Sequence, residues 1–204
     1  MAHKIFIDGE VGTTGLQIRS RLVGRDDVEL ISLSEEARKD PAARAEALNG
    51  ADLSILCLPE AASRDAVSMI ETPDTRVIDA SIAYRTDPAW VYGFPEHGPG
   101  QRQKIAAAKR VSNPGCYALA TVAMVHPLVA AGLLPADFPL TVNAVSGYSG
   151  GGRKLIDSYE NPDSENKIVS PFRLYALGLD HKHTEEMRLH SSLERRPLFV
   201  PSVG

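Results

Sequence analysis

A glycine-spaced turn between a strand and a helix constrains this chain more than any other feature in it. The run Ile7-Asp-Gly-Glu-Val-Gly-Thr-Thr-Gly15 follows the apolar stretch Lys4–Asp8, which reads as a buried strand. Leu16, Ile18 and Leu22 then carry helical spacing from Thr13 onward. Glycines at such a turn let the backbone reverse tightly, approach a pyrophosphate and offer it the first N–H groups of the helix. The spacing here is G-x-x-G-x-x-G, not the commoner G-x-G-x-x-G, so two readings stay open. Either Gly9, Val11, Gly12, Thr13, Thr14 and Gly15 form a dinucleotide cradle, or they form only a tight connection. The strand before and the helix after favour the cradle.

The rest of the first half repeats the same rhythm. Val28–Ser34 reads as a second strand, and Pro41–Gly50 as a helix with proline at its start and Gly50 just past its end. Leu53–Pro59 reads as a third strand closed by Pro59, Glu60–Ile70 as a helix and Arg76–Ser81 as a fourth strand. Alternating strands and helices imply a parallel sheet covered on both faces, a doubly wound, Rossmann-type α/β fold. After Ser81 the pattern loosens through a Pro-, Gly- and aromatic-rich stretch, then resumes with a helix over 101–110. Beyond Leu134 it changes character: Phe138–Gly147 alternates like a strand and the glycine cluster Ser146–Lys154 follows. A domain boundary is expected at Leu134–Pro135, giving a dinucleotide-binding domain over 1–134 and the start of an α+β substrate or dimerisation domain over 135–204. The final run, Arg195–Gly204, reads as a strand in mid-course, so the second domain is expected to be truncated.

A carboxylate commonly ends the second strand where NAD is bound, gripping the ribose 2′-OH. Here that position offers Ser32 and Ser34, with Arg38 and Lys39 nearby. Hydroxyls and cations suit a 2′-phosphate, which favours NADP(H); the alternative is that Arg38 and Lys39 solvate a surface turn. No tyrosine in the chain has a lysine four residues on, which removes the Tyr-x-x-x-Lys pair of short-chain reductases.

Net charge is -4, with basic residues scattered, so no nucleic-acid surface is expected. No apolar stretch approaches the ~18 residues of a membrane span, and the amino terminus runs straight into a strand pattern, unlike a signal peptide. The two cysteines, Cys57 and Cys116, cannot build a disulfide framework. A cytoplasmic location, without nucleic-acid or membrane partners, is the expectation.

The cysteines invite opposite readings. Cys57 lies within the third strand, where a thiol behaves as a small hydrophobe. Cys116 follows Asn113-Pro-Gly and precedes an apolar helical run, a place where N–H groups and the helix dipole stabilise a thiolate. The segment Ser112-Asn-Pro-Gly-Cys-Tyr-Ala118 resembles the active-site signature of the N-acetyl-gamma-glutamyl-phosphate reductases, within the aspartate-semialdehyde dehydrogenase-like superfamily. The resemblance continues through the glycine turn, Asp79-Ala-Ser-Ile-Ala-Tyr-Arg85, Tyr92–Glu96, Ser146–Arg153 and His181–Glu186, and is strongest to the shorter, second type of that family. One departure is Leu119, where the family commonly has threonine.

This resemblance implies NADPH-dependent reduction of N-acetyl-gamma-glutamyl phosphate to N-acetylglutamate semialdehyde through a Cys116 thioester, in arginine biosynthesis. It implies His181 as acid/base ahead of His183, with Glu186 or the other histidine orienting substrate. An H-x-H pair in an extended segment points both rings to one side; the competing readings are a metal pair or a solvated helix start. Arg85, Asn113, Ser149, Arg153 and Lys154 are the candidates for holding the anionic substrate, the glycine cluster serving as an anion nest or simply as a flexible loop. No metal is expected, and the resemblance implies a homodimer or homotetramer. The alternatives are an aspartate-type semialdehyde dehydrogenase and a non-catalytic NADP-sensing module.

Overall fold

The structure is a computed structural model and describes residues 2–204, which divide into two compact units, 2–114 and 115–204. The division falls before the helix that opens with Cys116, not after it at Leu134–Pro135. Tyr117 and Ala118 of that helix are buried among Met187 and Phe199, so the helix belongs to the second core.

In the first unit the chain runs β1 (His3–Asp8), α1 (Thr13–Leu22), β2 (Val28–Ile31), a 3-10 turn (Ala37–Lys39), α2 (Pro41–Gly50), β3 (Leu53–Leu56) and α3 (Glu60–Ser68). It continues through β4 (Arg76–Asp79), β5 (Val91–Tyr92), α4 (Gln101–Ala107) and β6 (Arg110–Ser112). The six strands are parallel in the order β2-β1-β3-β4-β6-β5. Successive residues of β1 serve opposite faces. Ile5 and Ile7 pack with Ile55 under Ile18 and Leu22 of α1, whereas Phe6 packs with Leu56 and Val77 against Ala47, Leu48 and Ala66. Leu16 is exposed instead of sharing the packed face of α1. Asp40 caps α2 by accepting the Ala42 N–H at 3.1 Å, and Gly50 is the last helical residue, not the one beyond it.

Strand order reverses about β1, with β2 on one side and β3 on the other. A crevice at the carboxyl ends of such strands is where ligands bind in open α/β sheets. Gly9 turns the chain there with φ +88°, and a Cβ on it would lie 2.5 Å from the carbonyl oxygen of Cys57, just past β3. A Cβ on Gly15 would collide with the Gly9 carbonyl oxygen and stand 2.7 Å from Glu10 Cα. Both glycines are therefore demanded by close packing of turn, helix and strand ends. Gly12 is less confined, its nearest neighbour being the Gly9 oxygen at 3.3 Å.

The second unit comprises α5 (Cys116–Ala130), β7 (Thr141–Ser146), a 3-10 turn (Tyr148–Gly151), α6 (Gly152–Glu160), β8 (Arg173–Leu174), α7 (His183–His190) and β9 (Leu198–Val203). Its sheet has the order β7-β9-β8, with β7 and β9 parallel and β8 antiparallel to β9. Helices α5 and α7 cover one face through Tyr117, Ala118 and Met187, which meet Phe199, Val142 and Ala144. Thr141, Asn143 and Val145 on the other face of β7 are exposed. The glycine cluster does not stay a loop: it forms the 3-10 turn and enters α6, and a Cβ on Gly151, just ahead of that helix, would stand 2.5 Å from Leu155.

Alanine in a helix ordinarily stabilises relative to glycine by about 1 kcal/mol. Gly15→Ala is expected to do the reverse, losing about 2–4 kcal/mol in urea unfolding because its methyl group meets backbone that cannot yield. Gly12→Ala is expected to lose less than about 1 kcal/mol in the same measurement.

Candidate active site

In the first unit, Gly12 opens α1 in an extended conformation with no side chain capping the helix. Thr13 and Thr14 supply the first helical amides and Val11 is exposed beside them. Uncapped amides and a cleared backbone approach fit a diphosphate. Ser32 and Ser34 are exposed in the loop that follows β2, which stops at Ile31. Ser34 Oγ accepts the Ala37 N–H at 3.2 Å, so this serine shapes the turn carrying Arg38. Arg19 Nη1 of α1 donates to Ser32 Oγ and to Glu10 Oε2, both at 2.7 Å, and Arg38 Nη1 approaches Glu10 Oε1 at 3.4 Å. Arg19 and Glu10 did not emerge from sequence; the available signal was an acidic residue inside a glycine turn with arginines flanking it on either side. Lys39 pairs instead with Glu35 at 3.3 Å.

The Asp79–Arg85 segment proves to be a brace. Fully buried Asp79 accepts hydroxyls from Ser63 of α3 and from Ser81, the latter at 2.7 Å, while its carbonyl accepts the Asn113 N–H at 2.7 Å. Arg85 donates to the carbonyls of Asn113 (3.0 Å) and Ala80 (2.8 Å). Through these two bonds its guanidinium braces the loop that ends this unit. The Asn113 side chain is exposed and its Nδ2 lies 3.3 Å from the Pro114 carbonyl oxygen.

Cys57 lies one residue beyond β3 and is half-buried, not inside the strand. Burial first, then the carboxylates of Asp79 and Asp8, push its thiol up to about 11.

In the second unit Cys116 is exposed and is the first residue of α5. No side chain caps this helix, so its leading amides face the thiol's own end. Glu186 Oε1 accepts the Gly115 N–H at 2.8 Å. Only 1% of Glu186 is exposed, and through this bond it positions the residue before the cysteine. The next residue, Tyr117, ties the helix to the sheet: its hydroxyl is 2.8 Å from Ser146 Oγ and 3.2 Å from the Ser202 carbonyl oxygen, and accepts from Tyr175 at 3.2 Å.

His181 and His183 do not share an extended segment. Thr184 donates both its N–H (2.9 Å) and its hydroxyl (2.8 Å) to the His181 carbonyl, curling the chain into α7 at His183. The rings still meet, with centroids 4.7 Å apart. His183 is buried, whereas His181 sits half-buried among Tyr117, Tyr175 and Phe199. His181 Nδ1 accepts the His183 N–H at 3.1 Å. The neutral ring must then carry its proton on Nε2. Burial, with a smaller contribution from the Lys182 charge, lowers the pKa of His181 and favours that neutral form. Burial foremost, with Tyr117 and Cys116 adding to it, raises that of Tyr175. Two non-glycine residues in the approach to His181, Ala176 and Leu179, adopt left-handed φ values of 51° and 60°, a local strain of the kind concentrated at functional loops.

Ser149 is exposed in the 3-10 turn, and Arg153 and Lys154 are exposed in the first turn of α6. Among the described residues no group of three or more His, Cys, Asp or Glu is arranged to hold a metal, and no helix is long and apolar enough to cross a membrane.

Two family models match: the semialdehyde dehydrogenase NAD binding domain over residues 33–108, and the semialdehyde dehydrogenase dimerisation domain over residues 116–204. N-acetyl-gamma-glutamyl-phosphate reductase 2 from Nostoc sp. is 55% identical over 204 residues, covering 98% of this chain and 63% of the relative. N-acetyl-gamma-glutamyl-phosphate reductase from Rhizobium johnstonii is 55% identical over 205 residues, covering 100% and 66%. The chain thus spans 63% of the length of the first of these relatives and 66% of the second. Among solved structures, aspartate semialdehyde dehydrogenase II from Vibrio cholerae shares the fold with TM-score 0.63 at 15% identity, covering 100% of this chain and 70% of its own.

Two outcomes follow from the geometry. With iodoacetamide at pH 8, peptide mapping is expected to find Cys116 modified well before Cys57. Labelling of Cys57 should rise about tenfold per pH unit towards its pKa, because only the thiolate reacts. His181, which resists protonation when folded, gives up that resistance on unfolding. Stability should therefore fall as pH drops below about 6.5, the ordinary value for histidine, and His181→Asn should flatten that dependence in urea titrations.

Proposed function

The chain belongs to the semialdehyde dehydrogenase family, and on that premise we propose that the protein it forms reduces N-acetyl-gamma-glutamyl phosphate to the semialdehyde with NADPH, a step of arginine biosynthesis. The observation that carries this reading is the exposed thiol of Cys116 at the uncapped start of α5, its preceding residue pinned by Glu186. The names of the 55% identical relatives supply the substrate.

The thiolate of Cys116 attacks the acyl carbon, and the C–O bond to phosphate breaks to leave a thioester and inorganic phosphate, which takes a proton from solvent. When bound, the reduced nicotinamide supplies a hydride to the thioester carbon. The resulting oxyanion re-forms its carbonyl, the C–S bond breaks, and aldehyde leaves with Cys116 again a thiolate. Both steps pass through an oxyanion and neither requires a base once the thiolate exists. His181, its Nδ1 occupied by the His183 N–H, suits this chemistry as an Nε2–H donor to that oxyanion. The same Nε2 is the atom that the acid/base duty expected from its motif position would use. His183 packs behind it, and Arg153, Lys154, Ser149 and Asn113 remain the groups proposed for the carboxylate and phosphate of the substrate.

The glycine turn and the amides of Thr13 and Thr14 would hold the diphosphate of the cofactor, and Ser32, Arg38 and Arg19 its 2′-phosphate, which is why NADP is favoured. Oligomerisation, as a homodimer or homotetramer, is proposed through the second unit, supported by the dimerisation-domain match over 116–204. A cytoplasmic location accords with this role.

The test is phosphate-dependent NADP reduction by the protein at its natural length, offered N-acetylglutamate semialdehyde and aspartate semialdehyde side by side. Preference for the acetylated aldehyde, abolished in Cys116→Ser with NADP binding intact, is expected. Preference for aspartate semialdehyde would move the protein to the other branch of the family, and binding of NADP without turnover of either would make it a sensing module. Ser32→Asp should shift kcat/KM towards NAD, and an unchanged ratio would place the 2′-phosphate elsewhere.

A further inference from the structure

The cationic pair formed by Arg19 of α1 and Arg38 of the 3-10 turn already holds an anion. Glu10, inside the glycine turn, is 12% exposed at its side chain. It takes Arg19 on one oxygen (2.7 Å) and Arg38 on the other (3.4 Å). Ser32 Oγ is 3.5 Å from the oxygen that Arg19 also holds. The four groups come from four different places: the turn, α1, the loop after β2 and the 3-10 turn. One carboxylate, accepting from two guanidiniums beside a hydroxyl, imitates what a phosphate would accept there.

Resting on the reading of this site as the 2′-phosphate pocket, we propose that Glu10 is an internal counter-anion that sets cofactor discrimination. It keeps Arg19 and Arg38 gathered when no nucleotide is bound, and it must surrender them to a 2′-phosphate. Two guanidiniums against one carboxylate leave a single net positive charge for an incoming group that carries about two negative charges. Removing the carboxylate leaves two positive charges and an empty clamp. Glu10 therefore holds the preference for NADP over NAD below what the two arginines alone would give, and it affects the unphosphorylated ribose little. Its partners are part-exposed, with Arg19 at 38% and Arg38 at 29%, so the clamp can exchange one anion for another without opening the core.

The experiment is calorimetric titration of the natural-length protein with adenosine 2′,5′-bisphosphate and with AMP, for wild type, Glu10→Gln, Glu10→Asp and Arg38→Gln. Glu10→Gln is expected to tighten the bisphosphate about tenfold, more at low salt, and to leave AMP within about twofold. Glu10→Asp, which keeps the charge, should stay close to wild type. If Glu10→Gln weakens the bisphosphate, leaves it unchanged, or tightens both ligands equally, the counter-anion role is overturned. Arg38→Gln separates the two layers. If it abolishes the bisphosphate preference while Glu10→Gln fails to raise it, the NADP pocket stands and the role of Glu10 falls. If Arg38→Gln leaves the preference intact, the 2′-phosphate is not held here and both fall.

Discussion

One buried hydrogen bond organises the second unit: the Glu186 carboxylate accepting the backbone N–H of Gly115 at 2.8 Å. A carboxylate taken out of water is costly unless its oxygens are satisfied, and an N–H at the start of a helix satisfies one well because the dipole there favours negative charge. The bond joins α7 to the first residue ahead of α5, and with it the segment bearing His181 and the segment bearing Cys116. Tyr117 completes the arrangement from the other side, its ring packed on Phe199 and its hydroxyl reaching Ser146 and Ser202 at the ends of β7 and β9. Cys116 is therefore exposed at its sulfur yet flanked on both sides by residues that cannot move independently.

The first unit solves a different problem with the same means. Asp79 is buried at the end of β4, where two serine hydroxyls and its own carbonyl fasten α3, the Ser81 turn and Asn113 together. Arg85 closes the set from the outside. A sequence motif that invites interpretation as a ligand site thus also braces its own unit: Asp79 accepts from hydroxyls and Arg85 donates to carbonyls within it. The Arg44 to Asp8 pair, 2.7 Å apart and largely buried, fastens α2 to the end of β1 in the same way.

The architecture was legible in sequence wherever a period could be counted. Parallel strands with alternate residues facing opposite layers leave near-continuous apolar runs, and the turn residues between them fix order and direction. The glycine turn was legible for what it is, although Gly9 and Gly15 turn out to be dictated by Cys57 and Gly9 carbonyls as much as by any ligand. What escaped was whatever depends on a local hydrogen bond competing with a pattern. The His181–His183 stretch looks extended until Thr184 bonds back to the His181 carbonyl and begins a helix. The glycines at 150–152 mask a helix whose apolar residues, Leu155, Ile156 and Tyr159, begin only after them. The unit boundary escaped because α5 is apolar all round and could have served either core; only its partners, Met187 and Phe199, assign it. Arg19 and Glu10 escaped because ion pairs between separate elements have no spacing to count.

Burial decides what each carboxylate can do. Glu186, 1% exposed and bonded to the Gly115 backbone, is fixed: moving it would break a buried hydrogen bond to the residue before Cys116, so its influence on Cys116 is positional. Glu10 is bonded only to side chains, and those side chains reach water. Long arginines lose little when one acceptor replaces another of the same sign, since the guanidinium keeps its charge-assisted hydrogen bonds throughout. The same functional group is therefore a permanent brace where its partner is backbone in a core, and an exchangeable placeholder where its partners are flexible cations at a rim.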